Sequence, residues 1–417
     1  MADETRTATS PAPPPRRGLL TRWHETPLYA RILGALGLGV VVGLALGKHA
    51  AVLALPSQLV LRLLAALAPP LILLAVVDAL MKAQVRSRMG VRLVYLLILN
   101  TLVAIFIGLL VANVLGPGRW ARIEPPPAAD ARQAVKDPLT LFLDNVPRSL
   151  LGPLGDEGKV LGVIVIAVAF GIALRRLRHE QVRTVEDLVA IALRSLIIML
   201  HWIIDIIPLA VFGIVASIVG VKGFRDFVAL AAFVLAVLLA LVLQAGYYLL
   251  RIRLGSWARP GRVLSGMRDA LVMAFSTASS TATMPVTYAC LRENVGLREE
   301  SASLGALVGA NFNNDGTALY EAMSALFIAQ MLGWNLSLPQ QAMVVLTSVV
   351  ASVGAAGIPE AGLVTMTLVF SAVGLPPEYI GILLTVDWFL DRCRTTINVL
   401  GDVNVSCLLD GRQPAAS

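Results

Sequence analysis

The sequence is poor in charged residues, cysteine and histidine, and each shortage excludes a class of protein. Charged side chains make up only 15% of the 417 residues, whereas soluble domains carry roughly 25%, so the chain cannot cover a water-exposed surface. Three cysteines without a CxxC pair indicate neither a disulfide framework nor a metal site. The four histidines are scattered and no GxSxG, HExxH or Walker A motif is present, so an enzyme is not indicated.

Apolar residues are abundant instead: they make up 57% of the chain, and the mean hydropathy is +0.77. An apolar run of about 20 residues is long enough to cross a bilayer, so the composition predicts a polytopic membrane protein. Six such runs lie near 31–47, 57–81, 92–115, 159–175, 190–219 and 226–250. After Leu254 the apolar runs are shorter and are interrupted by Ser, Thr, Gly, Asn and Pro, at 264–291, 301–332, 338–373 and 377–409.

The interrupted segments of the last third indicate a transport site. Broken helices at membrane depth are tolerated only where they line a cavity, and paired broken segments are typical of transporter binding sites. Ordinary kinked helices, with Ser and Thr at the helix contacts, are the alternative.

The basic residues indicate the orientation of the chain. The net charge is +7, which in a membrane protein reflects cytoplasmic loops rather than a nucleic-acid partner. Arginine-rich clusters precede the first run and follow the second, fourth and sixth, so the positive-inside rule predicts a cytoplasmic N-terminus. Residues 1–25 are then a disordered cytoplasmic tail without a cleavable signal, and the connection 116–157 is extracellular or periplasmic.

Three polar clusters in the last third favour broken segments that face a ligand. The first places six hydroxyl residues before Pro285, which favours a hairpin tip: Ser276, Thr277, Ser279, Ser280, Thr281 and Thr283. The second supplies the oxygen ligands that hard cations need, and an intramembrane carboxylate follows it: Asn311, Asn313, Asn314 and Asp315, then Glu321. The third, 352–362, has three glycines and Pro359 without a Walker ending, and favours a second re-entrant hairpin.

A fourth cluster forms one polar stripe along a helix. Its members recur every three or four positions and would be costly against lipid, so they face protein, water or ligand: Asp387, Asp391, Arg394, Asn398 and Asp402. Two alternatives remain for its centre. Asp391 and Arg394 pair with each other, or a zwitterionic acidic ligand separates them, with its ammonium on Asp391 and its side-chain carboxylate on Arg394.

In this order, the four clusters resemble those of the dicarboxylate/amino acid:cation symporter family, which includes the glutamate transporters. The match runs from about Thr26 to Cys407 and includes the serine-rich tip, Asn-x-Asp-Gly-Thr at 313–317, Gly-Ile-Pro at 357–359 and the stripe. The resemblance implies an all-α membrane protein with eight transmembrane helices, two re-entrant helical hairpins and inverted repeats. It further implies a homotrimer in which a transport domain slides like an elevator against a scaffold.

The resemblance also implies a division of the chain. Residues 1–25 and 410–417 are cytoplasmic tails, 26–90 are scaffold spans 1 and 2, 91–115 are transport-domain span 3, 116–222 are scaffold spans 4 and 5 with the extracellular loop, and 223–409 are the remaining transport domain. The last of these contains span 6, hairpin 1, span 7, hairpin 2 and span 8.

The function implied is sodium-coupled symport of acidic amino acids across the plasma or inner membrane, with both termini cytoplasmic. Asp391 together with Arg394 favours glutamate or aspartate, and Glu321 implies proton coupling, with potassium counter-transport left open. No cofactor is expected besides the coupled sodium ions. The alternatives are a proton-driven symporter of acidic amino acids or dicarboxylates without sodium, and, in a different class, an ion channel.

The resemblance assigns roles residue by residue. The substrate residues are Ser279, Ser280, Thr317, Ile358, Gly362, Asp391, Arg394, Thr395 and Asn398. The sodium residues are Gly309, Asn311, Asn313, Asp315, Ser352, Val353, Ala355, Asn398, Asp402, Asn100 and Thr101. By resemblance, Asp402 would hold one ion with the backbone of Gly309, Asn313 and Asn398. A second ion would sit between Asn311 and the carbonyls of 352–355, and a third near Asp315 and Asn313. Glu321 would carry the proton, and Arg392 and Asp387 would tune the electrostatics of the site. The chain departs from the family pattern where Asn314 replaces a methionine, and where Leu97 and Asn100 stand in place of a tyrosine and a threonine.

Overall fold

Every element in the described part of the chain is helical. The computed structural model describes residues 26, 28–57, 88–120, 183–222, 225–354 and 361–412, with a few isolated helical positions between 59 and 77 and between 163 and 168. Within these ranges the α-helices are α1 Leu28–Leu46, α2 Arg88–Leu115, α3 Arg183–Lys222, α4 Arg225–Gly255, α5 Pro260–Gly266, α6 Arg268–Thr277, α7 Ser280–Ala289, α8 Glu299–Ser303, α9 Gly309–Phe312, α10 Asp315–Met331, α11 Leu338–Gly354, α12 Ala361–Ala372 and α13 Ile380–Asp410. The all-α class is therefore confirmed for these residues.

Short helices of other types connect some of these elements. The 3₁₀ helices Gly47–Ala54 and Pro117–Trp120 follow α1 and α2, and Pro377–Tyr379 precedes α13. The π-helical turns Cys290–Val295 and Leu304–Val308 follow α7 and α8.

Four described stretches are long and apolar enough to cross a membrane: Ala30–Ser57, Met89–Trp120, Asp187–Val221 and Val228–Gly255. They correspond to the first, third, fifth and sixth predicted runs. The second and fourth runs, 57–81 and 159–175, lie largely outside the described residues. Two shorter apolar helices, Leu338–Val353 and Gly362–Ala372, occupy the third interrupted segment.

Glycines hold α1 and the following 3₁₀ helix tightly against α3. An added Cβ at Gly43 would lie 2.6 Å from the carbonyl oxygen of Ala216. At Gly213, an added Cβ would overlap the carbonyl oxygen of Leu53. Such close backbone contact through small residues is how helices associate in a bilayer, where lipid offers no hydrophobic driving force.

An ion pair joins the same two helices. Asp205, in the middle of α3, lies with its Oδ1 3.2 Å from Nη1 of Arg31 at the start of α1. Asp205 therefore takes part in a contact between two helices.

We expect Gly213→Ala to lower the stability of this helix pair by about 1–3 kcal/mol, the usual cost of overpacking. The matched control is Gly246→Ala in α4, where an added Cβ meets no atom within 4 Å. There the alanine should be neutral or stabilising by up to about 1 kcal/mol, because glycine is the poorer helix former. Thermal unfolding of both purified variants in detergent tests the pair, and equal melting temperatures would contradict the packing described here.

Two of the four interrupted segments contain a break within the described residues. α6 ends at Thr277, the next residue Ala278 has a φ of +51° in the left-handed region, and α7 begins at Ser280. Asn313 and Asn314 separate α9 from α10. α11 and α12 pack against each other as two arms, and the residues that join them, 355–360, lie outside the described residues.

The fourth segment, 377–409, is continuous, and its polar stripe lies on one helix as the three- and four-residue spacing predicts. α13 is one unbroken helix of 31 residues. Gly401 does not break it, because this glycine makes room for side chains of neighbouring helices: an added Cβ would lie 2.9 Å from the Tyr248 hydroxyl.

Candidate functional site

α13 carries the polar stripe through the interior of the protein. Each of its five polar residues is at most 5% exposed: Asp387, Asp391, Arg394, Asn398 and Asp402. α13 packs on α4 and on the two interrupted-segment helices α6 and α10. The prediction that these residues face away from lipid is therefore confirmed.

Arg394 lies fully buried between two carboxylates. Its Nη1 is 3.0 Å from Asp387 Oδ1, and its Nη2 is 2.7 Å from Asp391 Oδ1. The guanidinium carbon lies 4.0 Å from the centre of the Tyr320 ring, within the range of a cation–π contact. Asp391 and Arg394 therefore pair directly in this structure, and an acidic ligand between them stays a prediction.

The hydrogen bonding of Arg394 is incomplete despite these ion pairs. Nε and Nη1 have no aligned hydrogen-bond acceptor among the described residues, although Nη1 is close to Asp387. A buried donor without an acceptor costs about 1–3 kcal/mol. The planar fork of a guanidinium is suited to binding a carboxylate through two parallel hydrogen bonds, so Arg394 can accept such a group.

Other predicted substrate residues lie close to Arg394. An added Cβ at Gly362 would lie 3.1 Å from Arg394 Nη1 and 3.3 Å from Thr317 Cγ2, so α12 and α10 meet at the guanidinium. Thr395 follows on α13 and is 5% exposed. Ile358 lies outside the described residues.

Asn398 holds the break before α10 in place. Its Oδ1 accepts a hydrogen bond from the backbone N–H of Gly316 at 2.8 Å. Its Nδ2 lies 3.4 Å from both Thr317 Oγ1 and Asn314 Oδ1. One side chain of the stripe thereby satisfies backbone and side-chain groups that the broken helix leaves free.

The serine-rich turn between α6 and α7 is tied to the broken helix. Ser279 caps α7, its Oγ accepting a hydrogen bond from the Ala282 N–H at 3.1 Å. Ser280 Oγ donates to the carbonyl oxygen of Ala310 in α9 at 2.9 Å. Both predicted substrate serines are buried, with their hydroxyls engaged by protein groups.

Arg392 binds the end of α6. Its Nη1 donates to the carbonyl oxygen of Phe275 at 2.9 Å and also to that of Ser276. A cation at the C-terminal carbonyls of a helix is stabilised by the free acceptors and by the helix dipole. The contact joins α13 to the serine-rich turn.

The group around Asp402 suits a hard cation. Asn313 Nδ2 donates to Asp402 Oδ1 at 3.0 Å and to the carbonyl oxygen of Asn398 at 3.2 Å. Asn313 Oδ1 is buried and has no hydrogen-bond partner among the described residues. An added Cβ at Gly309 would overlap the Asp402 carboxylate, so the backbone of α9 also lies against it. A free amide oxygen, a carboxylate and nearby carbonyls are the ligands that such an ion prefers.

The group around Asp315 is different, because its oxygens are already bonded. Thr101 Oγ1 donates to Asp315 Oδ1 at 2.6 Å, and the Tyr248 hydroxyl donates to Asp315 Oδ2. Asn100 Oδ1 accepts a hydrogen bond from Arg251 Nη1. The residues that the resemblance assigns to a third ion therefore do not fit an additional cation as they stand.

The predicted ion position near the second pair of arms is also arranged differently. Asn311 Nδ2 donates along its own helix to the Leu307 carbonyl oxygen at 3.1 Å. Asn314 Nδ2, not Asn311, binds the carbonyl oxygen of Ser352 at 2.9 Å, because the break at 313–314 turns that amide toward α11. Val353 follows Ser352 and is half-buried, and Ala355 lies outside the described residues.

Glu321 lies in α10 with no exposed surface. Thr365 Oγ1 of α12 donates to its Oε1, and its Oε2 has no hydrogen-bond partner among the described residues. A buried carboxyl with so few donors is costly as an anion. Glu321 links α10 to α12 close to the Arg394 site.

The sequence analysis missed four residues of the site: Tyr248, Arg251, Tyr320 and Thr365. Each is a polar or aromatic residue within an otherwise apolar helix, which is a signal that the sequence contains. Nothing in the sequence indicates which helix each would contact, so their roles become visible only in the structure.

Comparison with known proteins gives one family. The sequence model of the sodium:dicarboxylate symporter family matches residues 28–412. Excitatory amino acid transporter 4 of Mus musculus is 32% identical over 83% of this chain and 75% of its own length. Excitatory amino acid transporter 2 of Homo sapiens is 33% identical over 84% and 71%, and excitatory amino acid transporter 3 of Mus musculus is 29% identical over 93% and 85%.

Proposed function

The chain belongs to the sodium:dicarboxylate symporter family, and from that premise we propose that it is a sodium-coupled secondary active symporter of acidic amino acids. The family and the relatives are transporters rather than enzymes. The names of the relatives support an acidic amino acid as the substrate.

The observation that carries the substrate assignment is the Arg394 centre. A fully buried guanidinium with N–H groups lacking aligned acceptors suits the side-chain carboxylate of glutamate or aspartate. Asp391, 2.7 Å from Arg394 Nη2, is positioned to leave that pair and bind the substrate ammonium. Asp387 would remain on Arg394, so the guanidinium keeps one carboxylate while it takes another.

The Asp402 group supports cation coupling. Asp402 is 1% exposed, and Asn313 Nδ2 is its observed side-chain hydrogen-bond donor, so the protein compensates its charge only in part. Asp402, Asn313 Oδ1 and the carbonyl oxygens of Gly309 and Asn398 would hold sodium, which would supply the missing positive charge. Since Asn398 also contacts Thr317 beside the substrate site, ion and substrate would fix the same side chain and so bind cooperatively.

The packing of the helices supports the proposed elevator. α1 packs mainly on α3, whereas α2 and α4 pack on α10 and α13. We assign 26–90 and 116–222 to a trimeric scaffold, and 91–115 and 223–409 to a moving transport domain. The arms α6/α7 and α11/α12 would be its two re-entrant hairpins, giving eight spans in all, with both termini cytoplasmic. Glu321 would carry a coupled proton.

The test is glutamate binding to the purified protein at several sodium concentrations. We expect sodium to tighten glutamate binding in the wild type, and Asp402→Asn to lose most of this dependence, because the amide cannot supply the charge that attracts the ion. Asp269→Asn is the matched control, since Asp269 is exposed at the start of α6 and should leave the sodium dependence unchanged. Wild-type binding that ignores sodium would reject sodium symport in favour of the proton-driven alternative.

A further inference from the structure

Arg251 points inward from the last part of α4. Its Nη1 donates to Asn100 Oδ1 on α2, and its guanidinium carbon lies 5.4 Å from the centre of the Tyr247 ring. An arginine near the end of a membrane span usually extends its charged head to water. Arg253, two residues later, is exposed. Because the guanidinium of Arg251 is turned into the protein instead of toward water, it needs a polar or charged partner there.

Asn100 holds the guanidinium of Arg251 and directly precedes Thr101, a hydrogen-bond donor to Asp315. It is fully buried, its Nδ2 lies 3.4 Å from Asn404 Oδ1, and its backbone carbonyl lies 3.4 Å from Gln244 Nε2. The next residue on α2 is Thr101, whose hydroxyl donates to Asp315 at 2.6 Å. Two consecutive residues of α2 thus connect the positive charge of Arg251 with the negative charge of Asp315.

None of the hydrogen-bond partners of Asp315 among the described residues is cationic. Its two oxygens accept hydrogen bonds from Thr101 and Tyr248, which are neutral donors. It is fully buried, and a buried carboxylate needs a compensating charge as well as hydrogen bonds. Arg251 is linked to this carboxylate through the adjacent residues Asn100 and Thr101, so a cation that belongs to the protein lies in the same polar group.

We propose that Arg251 is a tethered counter-charge for Asp315, and that this transporter consequently couples each substrate to one cation fewer than it would without that arginine. The inference rests on the sodium coupling proposed above and specifies its stoichiometry. It follows from the poor fit of Asn100 and Asp315 to a third ion: the amide oxygen that such an ion would use is held by Arg251. Asp402 has no cationic side chain among its hydrogen-bond partners in the described residues, so its charge would still be compensated by a bound sodium ion.

The test measures how steeply glutamate affinity depends on sodium in the purified full-length protein, at alkaline pH. When the sodium concentration rises tenfold, the dissociation constant of glutamate falls by about tenfold for each coupled sodium ion. Arg251→Gln keeps an N–H donor for Asn100 but removes the charge. In this variant we expect one additional fall of about tenfold in the glutamate dissociation constant for each tenfold rise in sodium. Arg251→Lys keeps the charge and should retain the wild-type slope, and Arg253→Gln is the matched control on the same turn.

A second variant makes the test independent of the folding of Arg251→Gln. Asn100→Thr removes the amide that holds the guanidinium and should steepen the sodium dependence in the same direction. A sodium slope that is positive in the wild type and the same in Arg251→Gln and Asn100→Thr would overturn the inference and leave the proposed function intact. Glutamate binding that does not depend on sodium in the wild type would overturn both this inference and the proposed sodium coupling.

Discussion

An Arg394→Cys variant is expected to lose uptake of glutamate and aspartate and to favour small neutral amino acids. Arg394 is fully buried with Asp387 and Asp391 on either side. Without the guanidinium, a substrate carboxylate would meet two carboxylates and no cation. Breaking a buried charge pair costs about 3–5 kcal/mol, which is a loss of more than about a hundredfold in affinity for acidic substrates.

Small neutral amino acids should bind more tightly to Arg394→Cys than to the wild type. A cysteine in place of Arg394 leaves space beside Gly362 and Thr317, which lie against the guanidinium, and Asp391 remains available for the substrate ammonium. Competition binding with glutamate, aspartate, serine and alanine measures the switch, with Arg262→Cys as a control at an exposed position. Undiminished glutamate binding in Arg394→Cys would refute the substrate site.

A Glu321→Gln variant is expected to lose the pH dependence of net uptake while it retains substrate exchange. Glu321 has no exposed surface, and its Oε2 has no partner among the described residues, so the neutral carboxyl is favoured over the anion. In the proposed cycle the group must release its proton before the unloaded protein returns, whereas exchange returns the protein loaded and needs no release. Glutamine imitates the protonated carboxyl and has no proton to release, so the variant should be limited to exchange.

The measurement compares net uptake with exchange at several pH values. Wild type should show net uptake that varies with pH, and Glu321→Gln should show a flat and reduced profile with exchange near the wild-type rate. Glu378→Gln is the matched control, because Glu378 is exposed in the turn before α13. Wild-type net uptake that is indifferent to a proton gradient would contradict this role of Glu321.

The sequence predicts those features that depend on local backbone chemistry and on spacing within one helix. The break at Asn313 and Asn314 follows from side chains that compete with helical hydrogen bonds, and the buried face of α13 follows from its three- and four-residue spacing. Gly401 lies within that helix, where the missing side chain allows close packing against Tyr248.

Contacts between distant helices could not be predicted in the same way. The hydrogen bonds from Tyr248 to Asp315 and from Arg251 to Asn100 join residues that are 67 and 151 positions apart. Periodicity places a side chain on a face of its own helix, but the partner depends on how helices pack. For the same reason, the sequence does not indicate that Asn314 donates to the Ser352 carbonyl, as it does in the structure.

Uptake of radiolabelled glutamate into proteoliposomes tests the central claim most directly. The account predicts that the purified wild-type protein concentrates glutamate when an inward sodium gradient is imposed, and that uptake stops when sodium is equal on both sides. Uptake that proceeds without sodium and follows an imposed proton gradient alone would contradict it.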